Sequence, residues 1–217
     1  MSKIRLPNGS IVSIASTIGP DIAMSALSNA SSAVATLSTG HGVTTGSIVI
    51  VDSGWTEVDG RVARVSAVSG DDVTLEGINT TDTDVFPPGS GAGSLRVVTA
   101  WTQLVGVLRF ERQGGDQEYW EGQFMESSRR IRVPTVRAAQ GIDMTVADRP
   151  DLPWYAAVVA ADESGEPMPM RLVLKGGSIL LYNGTWSINR TPTTTVNEAM
   201  TLDVAFSLSA DVTRYNA

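Results

Sequence analysis

Few side chains in this sequence could do chemistry, and they are scattered. His41 is the only histidine and there are no cysteines, so these residues supply neither a zinc site nor a histidine-dependent catalytic triad. Asp71, Asp72, Asp82 and Asp84 lack the alternating carboxylates and the bidentate glutamate of a calcium loop. We therefore predict an ordinary loop histidine and solvated turn carboxylates.

Two further groups of residues resemble parts of catalytic sites. Gly89–Gly93 has the composition of a nucleophile elbow or a phosphate-binding loop, but no strand and helix bracket it and no lysine follows. Glu118, Glu121 and Glu126 lie near Trp120 and could suggest a glycosidase pair, yet an exposed strand surface explains them equally well. We predict that the protein is not an enzyme and uses no metal or other cofactor.

One basic cluster stands out, and it has two interpretations. The first is a solvated strand edge that discourages aggregation. The second is an arm that contacts a neighbouring copy, because guanidinium groups pair with carboxylates in a bidentate manner. Both interpretations stay open for the four candidate contact residues, which are Arg129, Arg130, Arg132 and Arg137.

Composition and charge limit the class of protein. The 217 residues include 21 glycines and 10 prolines with abundant Thr, Ser and Val, which favours short strands and many turns. The net charge of −7 is opposite to the basic surface of a nucleic-acid binder, so any contact with DNA would be without specific binding. No apolar run is long enough to span a membrane, so we expect no membrane partner.

The stretch from Met170 to Ala210 predicts antiparallel strands. Gly176-Gly177 and Asn183-Gly184 have the composition of two-residue hairpin turns, which need positive φ. In Met200–Ser209 apolar residues alternate with polar ones without a break. Since successive side chains of a strand point to opposite faces, one face is buried and the other is polar. The sequence predicts a β-meander with a wet second face.

The remaining elements are a small β block and a helix. Short apolar runs separated by turn residues between 33 and 100 predict a small barrel or sandwich, with Pro87–Gly93 as a linker or an ordered return loop. Asp151–Glu163 predicts a helix that Asp151 caps and that ends before Gly165. Asp21–Leu27 predicts a short helical turn after a proline.

The run Met170–Arg190, followed by Pro192, Thr195–Glu198 and Phe206–Asp211, resembles the C-terminal part of the major tail tube proteins of long, non-contractile-tailed bacteriophages. The resemblance covers roughly residues 102–217. It implies six-membered rings that stack into a tube through which the genome passes. The same fold resemblance extends to the tubes of contractile tails and of type VI secretion machines.

What the resemblance implies is a mainly β fold: an antiparallel β-sandwich with one flanking α-helix and an inserted small SH3-like β-barrel. Residues 1–32 and 101–217 would form the sandwich, and residues 33–100 the inserted domain on the tube exterior. The expected partners are further copies of the chain, the tape measure, tail tip and terminator proteins, and passing DNA. The protein would assemble in the host cytoplasm and end in the virion tail. Two alternatives are the tube protein of a contractile injection system and a carbohydrate-binding or adhesin module suggested by an exposed tryptophan-bearing β block.

The polar side of the predicted strands is the candidate lining of the tube lumen. Carboxylates and hydroxyls repel phosphate and hold water, so DNA can slide past them. The alternative is that this face meets the helix or outer solvent, because parity fixes the face but not its neighbour. The candidate residues, with no Lys or Arg among them, are Asp143, Thr145, Thr201, Asp203, Ser207 and Ser209.

Overall fold

A computed structural model describes residues 7–216; the first six residues and the last one of the predicted tube domain lie outside the described residues. The described part contains sixteen strands and one helix. The strands are β1 (Ile11–Ile18), β2 (Ile22–Leu27), β3 (Val34–Leu37), β4 (Ile48–Ser53), β5 (Arg61–Ser69), β6 (Asp72–Glu76), β7 (Gly93–Gln103), β8 (Val107–Gly114), β9 (Gln117–Gly122), β10 (Ile131–Arg137), β11 (Gln140–Ala147), β12 (Met170–Val173), β13 (Ile179–Tyr182), β14 (Gly184–Ile188), β15 (Thr201–Leu208) and β16 (Thr213–Tyr215). The helix α1 is Pro153–Ser164. The predicted mainly β, antiparallel fold with one helix is confirmed.

One layer of the sandwich is a four-stranded sheet in the order β14-β15-β11-β8, antiparallel throughout. The alternation predicted for the last strand is observed, since the even-numbered residues of β15 face the core. Met144 pairs with Val204 and Ile142 with Phe206, and all four side chains are buried. The opposite face of this sheet is left polar.

The second layer consists of β16, β13, β12, β1 and the C-terminal half of β7. Its inward residues, such as Ile14 and Met170, pack with those of the four-stranded sheet in one cluster. Within that cluster Trp186 and Phe206 meet edge to face, with ring centroids 5.0 Å apart. Burial of these large rings supplies much of the hydrophobic stabilisation of the sandwich.

One of the two predicted hairpin turns is correct and the other is wrong. Gly176 and Gly177 both have positive φ and connect the paired strands β12 and β13. Asn183-Gly184 instead carries the chain from one layer to the other, because β13 and β14 belong to different sheets. Glycine is needed there because a Cβ on Gly184 would lie 2.0 Å from the carbonyl oxygen of Ser207.

Residues 22–98 form a closed six-stranded barrel in which β7, β2, β3, β6, β5 and β4 follow one another and β4 pairs back to β7. The predicted helical turn at Asp21–Leu27 is wrong, since this segment contains β2 of the barrel. Its side chains Met24 and Leu27 join the barrel core, and this tertiary packing outweighs local helix propensity. Resemblance of the barrel to an SH3 domain stays a prediction.

The segment Pro87–Gly93 is an ordered return loop. Trp55 is 2% exposed, packs edge to face on Phe86 and donates from Nε1 to the carbonyl of Pro87 (2.9 Å). A Cβ on Gly91 would meet the Trp55 ring at 3.0 Å. The loop therefore closes over the barrel core, so it is not a flexible linker.

Barrel and sandwich share structure. The strand β7 pairs with β2 and β4 at its start and with β1 at its end. A third apolar cluster joins Ile50 and Val62 of the barrel to Ala15, Leu181 and Tyr215 of the sandwich. The predicted division at residues 33 and 100 stays a prediction, but β2 lies before that block and β7 runs through its end.

The C-terminal strand adds a polar contact between the two parts. The backbone N–H of Arg64 donates to Tyr215 Oη (2.7 Å), which donates to the carbonyl of Glu76 (2.9 Å). The Arg64 guanidinium lies over the Tyr215 ring and pairs with the Glu76 carboxylate (2.6 Å). Burial raises the pKa of the Tyr215 hydroxyl, which favours its neutral form.

The helix α1 covers the β14 side of the sandwich with Trp154, Val158 and Ala161. It begins with Pro153 and ends at Gly165, whose φ of 66° is left-handed, as predicted. The predicted cap is wrong, because Leu152 occupies the N-cap position and no side chain caps the helix.

Candidate assembly surfaces

The polar face of the four-stranded sheet brings together most of the candidate lumen residues. Asp143, Asp203 and Ser207 are exposed on it, and Thr145 donates from Oγ1 to Asp203 Oδ1 (3.3 Å). Thr201 shares their parity at the end of β15. These five residues form one continuous surface between β11 and β15.

Ser209 lies just beyond the end of β15, at the border of this surface. It follows the end of β15, and its backbone N–H donates to the carbonyl of Asn183 (2.9 Å). Its neighbours there include Glu57 and Asp59 of the barrel, around a polar cavity of about 260 Å³. The regular strand ends just before Ser209, so a place for this residue on the lumen face stays a prediction.

The sequence did not suggest the contribution of β8 to the polar face. Register places Arg109 opposite Thr145, Glu111 opposite Asp143 and Gln113 opposite Gly141. The short apolar run before Gly114 gave no clean alternation, so its polar side was not recognised. The face therefore includes a guanidinium, contrary to the impression given by β11 and β15 alone.

The polar groups of β8 are bonded within the face. Arg109 forms an ion pair with Glu111, and Gln113 donates a hydrogen bond to the Asp143 carboxylate. The hydrogen bond from Arg109 holds the pKa of the Glu111 carboxyl below its ordinary value. Among the described residues, three carboxylates, including that of Asp203, share the face with this single guanidinium, so the charge of the face remains negative.

A second exposed surface is a two-stranded arm formed by residues 115–139. Its strands β9 and β10 continue β8 and β11, and the N–H of Ala138 donates to the carbonyl of Asp116 (2.9 Å) at the junction. Trp120 is 51% exposed and Met125 is fully exposed. The exposed large apolar side chains of the arm are Tyr119, Trp120, Phe124, Met125, Val133 and Val136. So many apolar groups on a thin ribbon mark an interaction surface.

All four candidate contact arginines lie on this arm, but in different environments. Arg132 lies 3.8 Å from the Tyr119 ring centroid and pairs with Glu121 (3.1 Å). Arg137 lies at the base of the arm and borders the polar cavity next to the barrel. Arg129 and Arg130, near the tip, form no ion pair with any described residue.

The four-stranded sheet also has two edges without a strand partner. Among the described residues no strand pairs with the outer side of β8 or of β14, although the N–H of Met168 donates to the outward carbonyl of Gly184 (2.7 Å) at the start of β14. An unpaired edge exposes backbone N–H and C=O groups that readily accept another strand. These edges, the polar face and the arm are the surfaces available for assembly.

Nothing on these surfaces resembles a catalytic centre. The polar face forms a shallow cavity of about 380 Å³ bordered by Arg109, Asp143 and Asp203. In residues 7–216 no group of three or more His, Cys, Asp or Glu side chains could hold a metal ion. Within the same range, no helix has the length and apolar character to cross a membrane.

The carbohydrate-binding alternative loses the observation that suggested it. That alternative rested on an exposed tryptophan in the small β block, but Trp55 is buried in the barrel core. The fold is that of a mainly β protein with one helix.

A family model described as phage tail tube protein (TTP) matches residues 53–217, and the chain belongs to this family. The predicted resemblance is thereby confirmed, and with it a structural, non-enzymatic component of the phage tail.

Two solved structures are similar to the chain. A chain of the anti-feeding prophage baseplate is 9% identical with a TM-score of 0.39, and the match covers 55% of this chain and 86% of that chain. A chain of the anti-feeding prophage tube-terminating cap is 15% identical with a TM-score of 0.35, covering 49% and 79% respectively. No curated protein shows a significant sequence match.

Proposed function

We propose that the protein forms six-membered rings, joined through the edges of β8 and β14, which stack into the phage tail tube around a polar channel for DNA. Family membership supports the tube role, and the number six comes from the resemblance. The single observation that carries the proposal is a four-stranded sheet with two free edges and one uncovered polar face.

The even number of strands in the sheet suits closure of a ring of copies. Four alternating strands give β14 and β8 opposite directions. Rotation about a ring axis preserves strand direction, so β8 of one copy would meet β14 of the next in antiparallel fashion. Ring closure would thus continue the same hydrogen-bonding pattern and remove both edges.

The mass distribution favours an inward polar face. The second layer, α1 and the barrel all lie on the apolar side of the four-stranded sheet. In a closed ring the bulkier side needs the larger circumference and so lies outside. Asp143, Thr145 and Asp203 would then line the channel, and the barrel would lie on the exterior.

The channel chemistry suits passage of DNA. Phosphate neutralisation by Lys and Arg dominates DNA affinity, and the one guanidinium that the described residues place on the face, that of Arg109, is already paired with Glu111. The carboxylates of Asp143 and Asp203 would repel phosphate and keep a water layer. DNA would pass without specific binding.

The arm supports contacts between stacked rings. It projects as a ribbon from the end of the sheet, and Arg129 and Arg130 have no ion pair within the described chain. Their charge and the exposed apolar side chains beside them would meet a neighbouring ring. Tape measure, tail tip and terminator proteins are the other expected partners, met during assembly in the host cytoplasm.

Electron microscopy of the purified protein tests the proposal. Concentrated protein, alone or with a preassembled tail tip as initiator, should give rings with sixfold symmetry and tubes. Monomers that persist at high concentration with the initiator present would contradict it.

A further inference from the structure

The sandwich is open along β8. Two cavities of about 510 Å³ and 220 Å³ lie between β8 and the second layer; the larger has a mixed lining, the smaller a mainly apolar one, and Phe110 borders both. Val105 and Leu108 are 42% and 65% exposed beside the larger cavity. The side chains that line the two cavities include Val12, Leu104, Leu172, Leu174, Leu180 and Tyr182. We name this opening the β8 cleft.

The opposite side of the sandwich is closed. There α1 packs against β14 and also contacts β1 and β7 of the second layer, with Trp154 and Val158 fully buried. The helix therefore lies at the β14 edge, on the apolar side of the sheet. Its outward side carries Ala156, Ala160 and Glu163, which are exposed and spaced i, i+4 and i+7.

Pairing of β8 with β14 in the proposed ring, on which this inference rests, would bring the open β8 side of one sandwich next to the α1 side of its neighbour. If β14 of one copy pairs with β8 of the next, the apolar faces of the two sheets lie on the same side of the joined sheet. The helix α1, which lies beside β14 on that side, then comes to lie over the β8 cleft of the next copy. We propose that the outward face of α1 from one copy seats in the β8 cleft of its neighbour and completes the neighbour's sandwich core.

Surface chemistry supports this occupant. The small side chains Ala156 and Ala160 allow the helix to approach the cleft closely, while Val105 and Leu108 need apolar cover.

Charge is also complementary. Arg112 borders the cleft and Lys175 lies beside Gly9 at its rim, and within the described residues neither forms an ion pair. The segment 151–166 carries four acidic residues and no Lys or Arg; three of the four pair with Arg149 or Arg190, and Glu166 forms no ion pair among the described residues. Opposite charges on facing surfaces fix orientation and discourage wrong contacts.

Thiol cross-linking tests the seating, because the chain has no cysteine of its own. The variant with Leu108→Cys and Ala160→Cys is assembled and treated with a short bis-maleimide. Within one copy these positions lie at opposite edges of the four-stranded sheet, whose edge strands are about 14 Å apart, so linkage should join neighbours. We expect a ladder of covalent oligomers that ends at the six-copy ring.

Two controls make the result specific. Each single cysteine variant should give no ladder, and Val85→Cys with Ala160→Cys, which uses an exposed barrel residue, should give none either. A second set reports the sheet edge itself: Ser187→Cys combined with Arg109→Cys, Glu111→Cys or Gln113→Cys, so that any stagger of the closed ring is sampled.

The outcomes separate the two proposals. Ladders from both the cleft pair and an edge pair support the seating. A ladder from an edge pair without one from the cleft pair overturns the seating of α1 and leaves the ring standing. No ladder from any pair, with no rings by microscopy, overturns both.

Discussion

The barrel and the four-stranded sheet differ in how many of their strand edges and apolar side chains are covered within one copy of the chain. Each of the six barrel strands has a partner on both sides, and Trp55 and the return loop close the core. The four-stranded sheet has two edges to which no described strand is bonded, an open cleft and an arm with exposed apolar side chains. The barrel core is therefore closed within one copy, whereas the sandwich leaves edges and apolar side chains that the proposed ring would cover.

Reversing the charge of the arm should have the largest effect. Changing Arg129, Arg130 and Arg132 together to Glu is expected to abolish tube formation, seen by microscopy. Thermal unfolding of the monomer should change little, because exposed ion pairs such as Arg132–Glu121 contribute about 1 kcal/mol or less. Arg149→Glu with Arg214→Glu is the control. Normal tubes from the triple variant would favour the other interpretation of the arginine cluster, a solvated strand edge without contacts to another copy.

The same substitution in the two regions should have opposite consequences. Trp55→Ala removes a buried side chain and should lower the free energy of unfolding by about 3–5 kcal/mol. Trp120→Ala, on the exposed arm, should cost about 1 kcal/mol or less and weaken assembly instead. Denaturant titration and light scattering measure the two effects. A large stability loss from Trp120→Ala would show that the arm belongs to the monomer core.

Tyr215→Phe should loosen the connection between barrel and sandwich. It removes the hydrogen bonds with Arg64 N–H and the Glu76 carbonyl, at an expected cost of about 1–3 kcal/mol in unfolding free energy. The control Tyr119→Phe, on the arm, should be neutral. Equal stabilities for the two variants would mean that the Tyr215 contact does not hold the barrel.

Channel charge should have the smallest effect, and one confined to function. Asp143→Lys with Asp203→Lys should slow DNA ejection by on the order of tenfold, because new cations bind phosphate. Asp143→Asn with Asp203→Asn, which adds no cation, is the matched control and should be much closer to the parent. Ejection by the Lys variant as fast as the parent would place this face away from the DNA.

The sequence predicted what depends on local pattern. Strict alternation identified β15 and its polar face, and the glycine pair at 176 and 177 identified a hairpin. Both signals depend only on residues that are adjacent in the sequence: the alternation of side chains along a strand and the positive φ of a tight turn.

What the sequence missed depends on distant contacts. Asn183-Gly184 has hairpin composition, but Gly184 is there to let β14 approach β15. Asp21–Leu27 becomes a strand because β3 and β7 pair with it from both sides. Arg109 joins the polar face only because β8 pairs with β11, a partnership that its own residues do not encode locally.

The barrel block shows the same limit. If residues 33–100 form an inserted domain, as the sequence predicts, their replacement by a short linker should leave a folded protein. Such a replacement would cut β7 and uncover Ala15 and Leu181 in the shared cluster. A boundary visible in composition need not coincide with a boundary in hydrogen bonding.

A helical reconstruction of assembled tubes tests the central claim most directly. The account predicts six copies per ring, β8 of each copy hydrogen-bonded to β14 of the next, and Asp143 and Asp203 facing the channel. Tubes in which these two aspartates lie on the outer surface, or in which β8 stays unpaired, would contradict it.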